Sequence, residues 1–183
     1  MKACQVYVNT ARSLPLRPRL FEETTMPESV ALSKEELTKI VEALSEGASI
    51  GDVCNVTTDQ LEGLYALAFN LYSAGNFKDA GTVFQALCLY NHKDARFWMG
   101  LAGCRQAAGD LKAAIDAYSM AGTVQLLANP VPFLYAARCY IKLGDKENAV
   151  GALNGLLTLG DENNPEHAKC HEQARELLSM LNK

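Results

Sequence analysis

The stretch that decides the fold is LYSAGNFKDA (71–80), which returns as RQAAGDLKAA (105–114) and again as YIKLGDKENA (140–149). Each copy has glycine at its fifth place and alanine at its tenth, and the copies begin 34 and then 35 residues apart. Glycine ends a helix at low cost, because it adopts the left-handed conformation without a steric penalty. The alanine marks the place where two helices pass closest, since a larger side chain there would overpack the crossing. The pattern predicts three helical hairpins in succession.

A helical hairpin that recurs every 34 residues resembles the tetratricopeptide repeat. Its three copies cover about 61–94, 95–128 and 130–163. Before them, SKEE places the hydroxyl of Ser33 three residues ahead of Glu36, which is typical of a helix start. After them, a helix over about 165–182 covers the apolar face of the last repeat. We therefore expect an all-α tetratricopeptide-repeat superhelix. An N-terminal helix and connector occupy 33–60, and the three repeats together with a C-terminal capping helix occupy 61–183.

The first 32 residues differ from the rest of the chain. They include SLPLRPRLFEETTMPES (13–29), which has three prolines, mixed charge and no helical period. Such a composition is typical of an extended, disordered tail. Three interpretations remain open for residues 1–32: a leader, a segment ahead of a natural start at Met26, or a docking segment.

Composition and charge narrow the function classes. With 183 residues and 49% apolar content, the chain can form one compact unit with a substantial core. Seventeen Lys and Arg against 21 Asp and Glu give a net charge of -4, which does not favour binding to nucleic acid or to an anionic membrane. No apolar run reaches the roughly 18 residues of a membrane span. The six cysteines form no CxxC pair, which suits a reducing cytoplasm.

One part of the sequence is more specific than the repeat. Residues 64–118 combine an aromatic-rich helix with VFQALC (83–88) and RFWMGLAGCRQ (96–106). This segment resembles the class II chaperones of bacterial type III secretion, the low-calcium-response-H type. The resemblance is strong over about 57–125 and does not include 1–32. It implies a cytoplasmic chaperone that keeps hydrophobic translocator proteins soluble before export, with no enzymatic activity and no cofactor.

In a repeat of this kind the first helix of each hairpin lines the concave side of the superhelix. Aromatic walls there accept apolar side chains of an extended peptide, and polar groups bond its carbonyls. In the first copy Tyr65, Phe69 and Tyr72 fall at these positions, and Phe77 lies at the rim or staples the turn. The remaining candidates for this peptide-binding groove, in the second and third copies, are Arg96, Met99, Gly103, Gln106, Leu134, Arg138 and Ile141. Leu64, Leu67, Ala68 and Leu71 are expected to form the packed face of the same first helix.

The N-terminal helix carries an apolar stripe of its own, formed by Leu37, Ile40, Val41 and Leu44. Members of the family commonly dimerise through this helix, so the resemblance implies a homodimer interface at the stripe. Packing of the helix back onto its own repeats is the alternative.

Other interpretations of single features remain beside these. The aromatic row of the first repeat is also compatible with core packing, and Trp98 stands at a structural position of the repeat. HAKCH (167–171) has a spacing compatible with metal ligands but lacks a fourth ligand nearby, so no metal site is expected. His92 and Asp94 have no nucleophile beside them, so no catalytic site is expected. Two other functions stay open: an adaptor for an AraC-type transcription regulator, which the resemblance implies for some bacteria, and a generic tetratricopeptide scaffold.

Overall fold

The structure is a computed structural model, and it describes residues 33–161 and 163–182. The predicted tail over 1–32 lies outside the described residues. The chain falls into two units, residues 1–37 and 38–183, and the packing described below belongs to the second.

The described residues are helical throughout, with short turns between the helices. The helices, in chain order, are α1 (Lys34–Ser45), α2 (Ile50–Val53), α3 (Thr58–Ser73), α4 (Phe77–Tyr90), α5 (Ala95–Ala107), α6 (Leu111–Val124), α7 (Val131–Leu143), α8 (Lys146–Leu156) and α9 (Pro165–Leu181). From α3 to α9 each helix packs on the next, and α3 also contacts α5. The all-α repeat fold predicted from the sequence is confirmed.

The hairpin turns follow the predicted chemistry. Gly75, Gly109 and Gly144 have φ of +79°, +84° and +75°, in the left-handed region. The helix after each turn is capped by an Asn or Asp side chain that accepts a backbone N–H, as Asp110 does from Ala113. This chemistry sets the angle at which each second helix returns along the first.

The alanines at the helix crossings are fully buried. Ala80, Ala114 and Ala149 have no exposed surface. Around them lie two apolar clusters, one spanning α3 to α7 and the other between α7, α8 and α9. Helix α7 contributes to both, so it joins the repeat stack to the capping helix.

The connector before the repeats is more ordered than the sequence indicates. Its Thr57 caps α3, and Gln60 completes the capping box. A short helix that the sequence pattern does not predict, α2, lies within the connector and has a second capping box formed by Ser49 and Asp52. Gly51 lies against the backbone of Tyr90, where an added Cβ would come within 2.7 Å of the carbonyl oxygen. A side chain at that position would separate α2 from α4.

Candidate binding groove

The first helices of the first two repeats surround a cavity of about 380 Å³, which we call the aromatic cavity. Six residues predicted for the groove line it: Tyr65, Phe69, Tyr72, Arg96, Met99 and Gly103. Five further residues, which are not among the predicted groove residues, also line it: Phe84, Gly100, Tyr118, Gln125 and Tyr135. The predicted residues of α3 and α5 are therefore brought together, and the second helices of the hairpins add two aromatic rings.

The three aromatic residues of α3 differ in how far the fold already uses them. Tyr65 is half-buried, with its ring edge-on to Phe84 at a centroid distance of 6.0 Å and 5.9 Å from the ring of Phe97. Phe69 is 55% exposed and Tyr72 is 37% exposed. Phe77 packs edge-on against Tyr72, with centroids 5.2 Å apart, so it supports the rim. Phe69 and Tyr72 therefore offer free apolar surface, whereas Tyr65 is part of the cavity wall.

The packed face of α3 is narrower than the sequence predicts. Ala68 is fully buried, and Leu64 and Leu71 are half-buried against the core. Leu67, however, is 48% exposed, so its assignment to the packed face was wrong. Its neighbour Ala68 is buried in the core instead, where a larger side chain would overpack.

Two glycines of α5 allow the aromatic rings to come close to the helix backbone. A Cβ at Gly103 would lie 3.3 Å from the ring and the hydroxyl of Tyr72. A Cβ at Gly100 would overlap the ring of Phe84. The floor of the aromatic cavity therefore consists of helix backbone with rings laid against it.

Arg96 is the charged residue of the aromatic cavity, but two carboxylates balance its charge. Its Nη2 lies 2.6 Å from Glu62 Oε1 and 2.7 Å from Asp94 Oδ2. Hydrogen bonds with Asp94, and then with Glu62, raise the pKa of Arg96 above its ordinary value. The guanidinium also lies over the ring of Tyr65, 5.0 Å from its centroid. Arg96 therefore acts as a neutralised part of the wall.

Beside α7, the aromatic cavity is bounded by two stacked tyrosine rings and by a hydrogen bond between side chains. Tyr118 donates a hydrogen bond of 2.9 Å to Gln106 Oε1, and the Cys139 thiol lies 3.5 Å from the same oxygen. The ring of Tyr118 stacks on that of Tyr135 at a centroid distance of 5.4 Å. Burial raises the pKa of Tyr118, so its hydroxyl remains a donor at neutral pH. Gln106 was predicted to bond a ligand, yet its side-chain oxygen is used within the protein.

The third repeat contributes a smaller cavity of about 260 Å³, which we call the α7–α9 cavity. Its lining residues are Val131, Leu134, Tyr135, Arg138, Glu166, Lys169, Cys170 and Gln173. Tyr135 also lines the aromatic cavity, so the two adjoin through one ring.

Two predicted groove residues of α7 are placed differently from Arg138. Leu134 lines the α7–α9 cavity with Arg138, but it is only 4% exposed and belongs to the apolar cluster beneath α9. The physical reason is that α9 contacts α7 directly and covers this end of it. Ile141 is half-buried and lines neither the aromatic cavity nor the α7–α9 cavity.

A larger apolar cavity of about 880 Å³, the α1–α4 cavity, lies elsewhere in the fold. Leu44, Ile50, Leu89 and Trp98 are among the residues that line it. Trp98 is half-buried, packs against the core and donates a hydrogen bond of 2.8 Å to the carbonyl of His92, in keeping with a structural role. In the α1 stripe, Leu37, Val41 and Leu44 are exposed and Ile40 is half-buried.

The remaining chemical candidates make local structural contacts. His171 is buried and its Nε2 lies 2.9 Å from the carbonyl oxygen of Leu159. The Nδ1 of His167 accepts a hydrogen bond from the backbone of Asp161 at 3.0 Å. Over residues 33–161 and 163–182, no group of three or more His, Cys, Asp and Glu side chains is placed to hold a metal ion. No helix within those ranges is long and apolar enough to cross a membrane.

The fold and the groove define a tetratricopeptide-repeat protein with an aromatic cavity on the first helices of its repeats. The family model described as "Tetratricopeptide repeat" matches residues 133–159. More specifically, the low calcium response locus protein H of Yersinia pestis is 38% identical to this chain over 132 residues, which are 72% of this chain and 74% of that protein. The chain belongs to this family of type III secretion translocator chaperones.

Solved structures agree with this assignment. A type III secretion complex from Aeromonas hydrophila has a TM-score of 0.73 and 36% identity, and the match covers 79% of this chain and 95% of that one. The Yersinia enterocolitica chaperone SycD, in complex with a peptide of the translocator YopD, has a TM-score of 0.64 and 36% identity, over 69% of this chain and 95% of that one. At these identities the similarity concerns sequence as well as fold.

Proposed function

We propose that this chain is a chaperone of a bacterial type III secretion system, which holds an extended apolar segment of hydrophobic translocator proteins in its groove. The proposal is supported by membership of the family and by the complex of SycD with a translocator peptide. The single observation from this chain that carries it is the exposure of Phe69 and Tyr72 at the mouth of the aromatic cavity. Neighbouring exposed apolar side chains at a cavity are typical of a binding site.

The chemistry of the cavity fits an apolar side chain on an extended segment. Its walls are aromatic rings and Met99, and its charged member, Arg96, is balanced by Glu62 and Asp94. Burying one apolar side chain in such a pocket contributes roughly 1.5–3 kcal/mol before ordering costs. Two or three such anchors support micromolar binding or tighter. The function is therefore binding and not catalysis, and its place is the bacterial cytoplasm, where translocators await export.

The direct test is co-expression with the hydrophobic secreted proteins of the same organism. We expect these proteins to remain in the supernatant and to co-purify with the chain. The Phe69→Ala variant, at the same expression level, should recover much less of them. If the secreted proteins are equally insoluble with and without the chain, the proposal is wrong.

A further inference from the structure

The two arginines of the groove differ in their electrostatic surroundings. Arg96 lies within 2.7 Å of two carboxylates. Arg138 makes one hydrogen bond with a described residue, from Nη2 to Gln173 Oε1 at 3.0 Å, and over residues 33–161 and 163–182 no carboxylate lies within 4.0 Å of it. Since a guanidinium has five N–H donors, most of the donor capacity of Arg138 is left for another partner.

The other charged groups at the α7–α9 cavity leave it with a positive excess. Arg138 and Lys169 line it together with a single carboxylate, that of Glu166. Lys169 forms no ion pair with the described residues, and Glu166 is within 4.0 Å of neither cation. The cavity is partly enclosed by the ring of Tyr135, over which the Arg138 guanidinium lies at 5.5 Å from the centroid. A ligand carboxylate that reaches Arg138 or Lys169 would form charge-assisted hydrogen bonds, which are about twice as strong as neutral ones.

The α7–α9 cavity adjoins the aromatic cavity, so its preference for a carboxylate bears on the segment bound in the groove. Tyr135 lines both the aromatic cavity and the α7–α9 cavity, so a segment that places an apolar side chain in the first reaches the second over the same ring. We infer that Arg138, assisted by Lys169, selects an aspartate or glutamate side chain of the bound segment, on the α7 side of its apolar anchor. This inference rests on the proposed function and specifies its ligand as an acidic and apolar segment.

The test uses the full chain and blocked synthetic peptides in isothermal titration calorimetry. Each 12-residue peptide contains alanine, serine and threonine with two leucines, and carries either one glutamate or one glutamine, placed at each remaining position in turn. At one or two positions we expect the glutamate peptide to bind about fivefold to tenfold more tightly than its glutamine partner. The preference should weaken at high salt, because the site is open to solvent.

Three variants show whether Arg138 causes the preference. Arg138→Gln should bring the affinity ratio of the glutamate and glutamine peptides to about one, and Arg138→Lys should keep most of the preference, because the positive charge remains. Lys112→Gln removes the same charge from an exposed position on α6 and should leave the ratio unchanged. Because the ratio is measured within one protein, a general loss of stability does not alter it.

The outcomes separate this inference from the proposed function. If leucine peptides bind but glutamate and glutamine are equivalent at every position, Arg138 recognises backbone carbonyls and the inference is wrong while the proposed function stands. If the leucine peptides gain affinity only when their C-terminus is left unblocked, the inference is also wrong, because the acidic group is then not a side chain. If no leucine peptide binds at all, the groove is not an apolar-segment site, and both the inference and the proposed function fail.

Discussion

Replacement of Phe69 by alanine is the sharpest test of the groove, because the ring is exposed and yet lies in the aromatic cavity. Phe69 makes no ring contact with another described aromatic residue, and its 55% exposure means that the fold gains little from it. We expect Phe69→Ala to change the free energy of unfolding by less than about 0.5 kcal/mol, as for most surface positions. Binding of an apolar segment should weaken strongly.

The expected loss of affinity follows from the exposed area. A ligand that covers roughly 100 Å² of the ring, about half of its surface, gains about 2.5 kcal/mol at ~25 cal/mol per Å². Ordering costs reduce the net contribution, so we expect a loss of about 1.4 kcal/mol, which is a tenfold increase in Kd. Tyr65→Ala should differ, because its ring packs on Phe84 and Phe97, and should lower stability by roughly 2–3 kcal/mol.

The assay pairs urea unfolding with titration of a captured translocator or a leucine-containing peptide. Met180→Ala is the matched control, since Met180 is 60% exposed on α9, outside the aromatic cavity, and should change neither quantity. Ala114→Leu should reduce stability by roughly 1–3 kcal/mol through overpacking at the helix crossing. If Phe69→Ala unfolds the protein by about 3 kcal/mol while Ala114→Leu has no effect, the groove assignment is refuted and the row belongs to the core.

Three further predictions concern the scaffold. Gly100→Ala should destabilise the protein by roughly 1–3 kcal/mol, because its methyl group would meet the ring of Phe84. Gly63 has open space around it, so Gly63→Ala should stabilise α3 by about 0.5–1 kcal/mol. Thermal unfolding of both variants measures the two effects. Replacing Leu37 and Leu44 by glutamate should convert a dimer to a monomer in size-exclusion chromatography with helicity retained, and unchanged elution would contradict the interface. Burial raises the pKa of the Cys170 thiol from 9.0 to about 11. The contribution of the neutral thiol to the free energy of unfolding is therefore complete below pH 9 and is lost as the pH rises toward 11. The urea midpoint should fall over that interval, and it should fall less in Cys170→Ala.

The repeat architecture could be predicted from the sequence because it depends on local chemistry. A glycine after an apolar helix and an asparagine or aspartate directly behind it specify a turn in any context, and the structure has all three such turns. The short helix α2 was missed because four residues are too few for a periodic pattern. It is held by its caps and by the fit of Gly51 against Tyr90, which is a contact between residues distant in sequence.

Repeat positions bring the candidate residues of α3 and α5 to one cavity, but they do not identify the residues that the second helices add to it. Positions along α3 and α5 follow the repeat, so counting brings Phe69 and Met99 to the same cavity. Phe84 reaches the cavity from a second helix only because Gly100 leaves room for its ring, and repeat positions do not carry that information.

Helix α5 separates the groove from the larger α1–α4 cavity. Met99 and Gly103 face the aromatic cavity, whereas Trp98 and Leu101 line the other, and the two cavities share no lining residue. The cargo binding proposed for the groove and the self-association proposed near Leu44 would therefore use opposite sides of one helix, so neither would exclude the other by direct overlap. It follows that a variant with glutamate at the α1 stripe should keep its dependence on Phe69 for binding. If that variant loses cargo as completely as Phe69→Ala does, the two surfaces are coupled through α5. Aromatic rings pack closely against the glycines of α5, and this packing is the part of the fold able to transmit such a change.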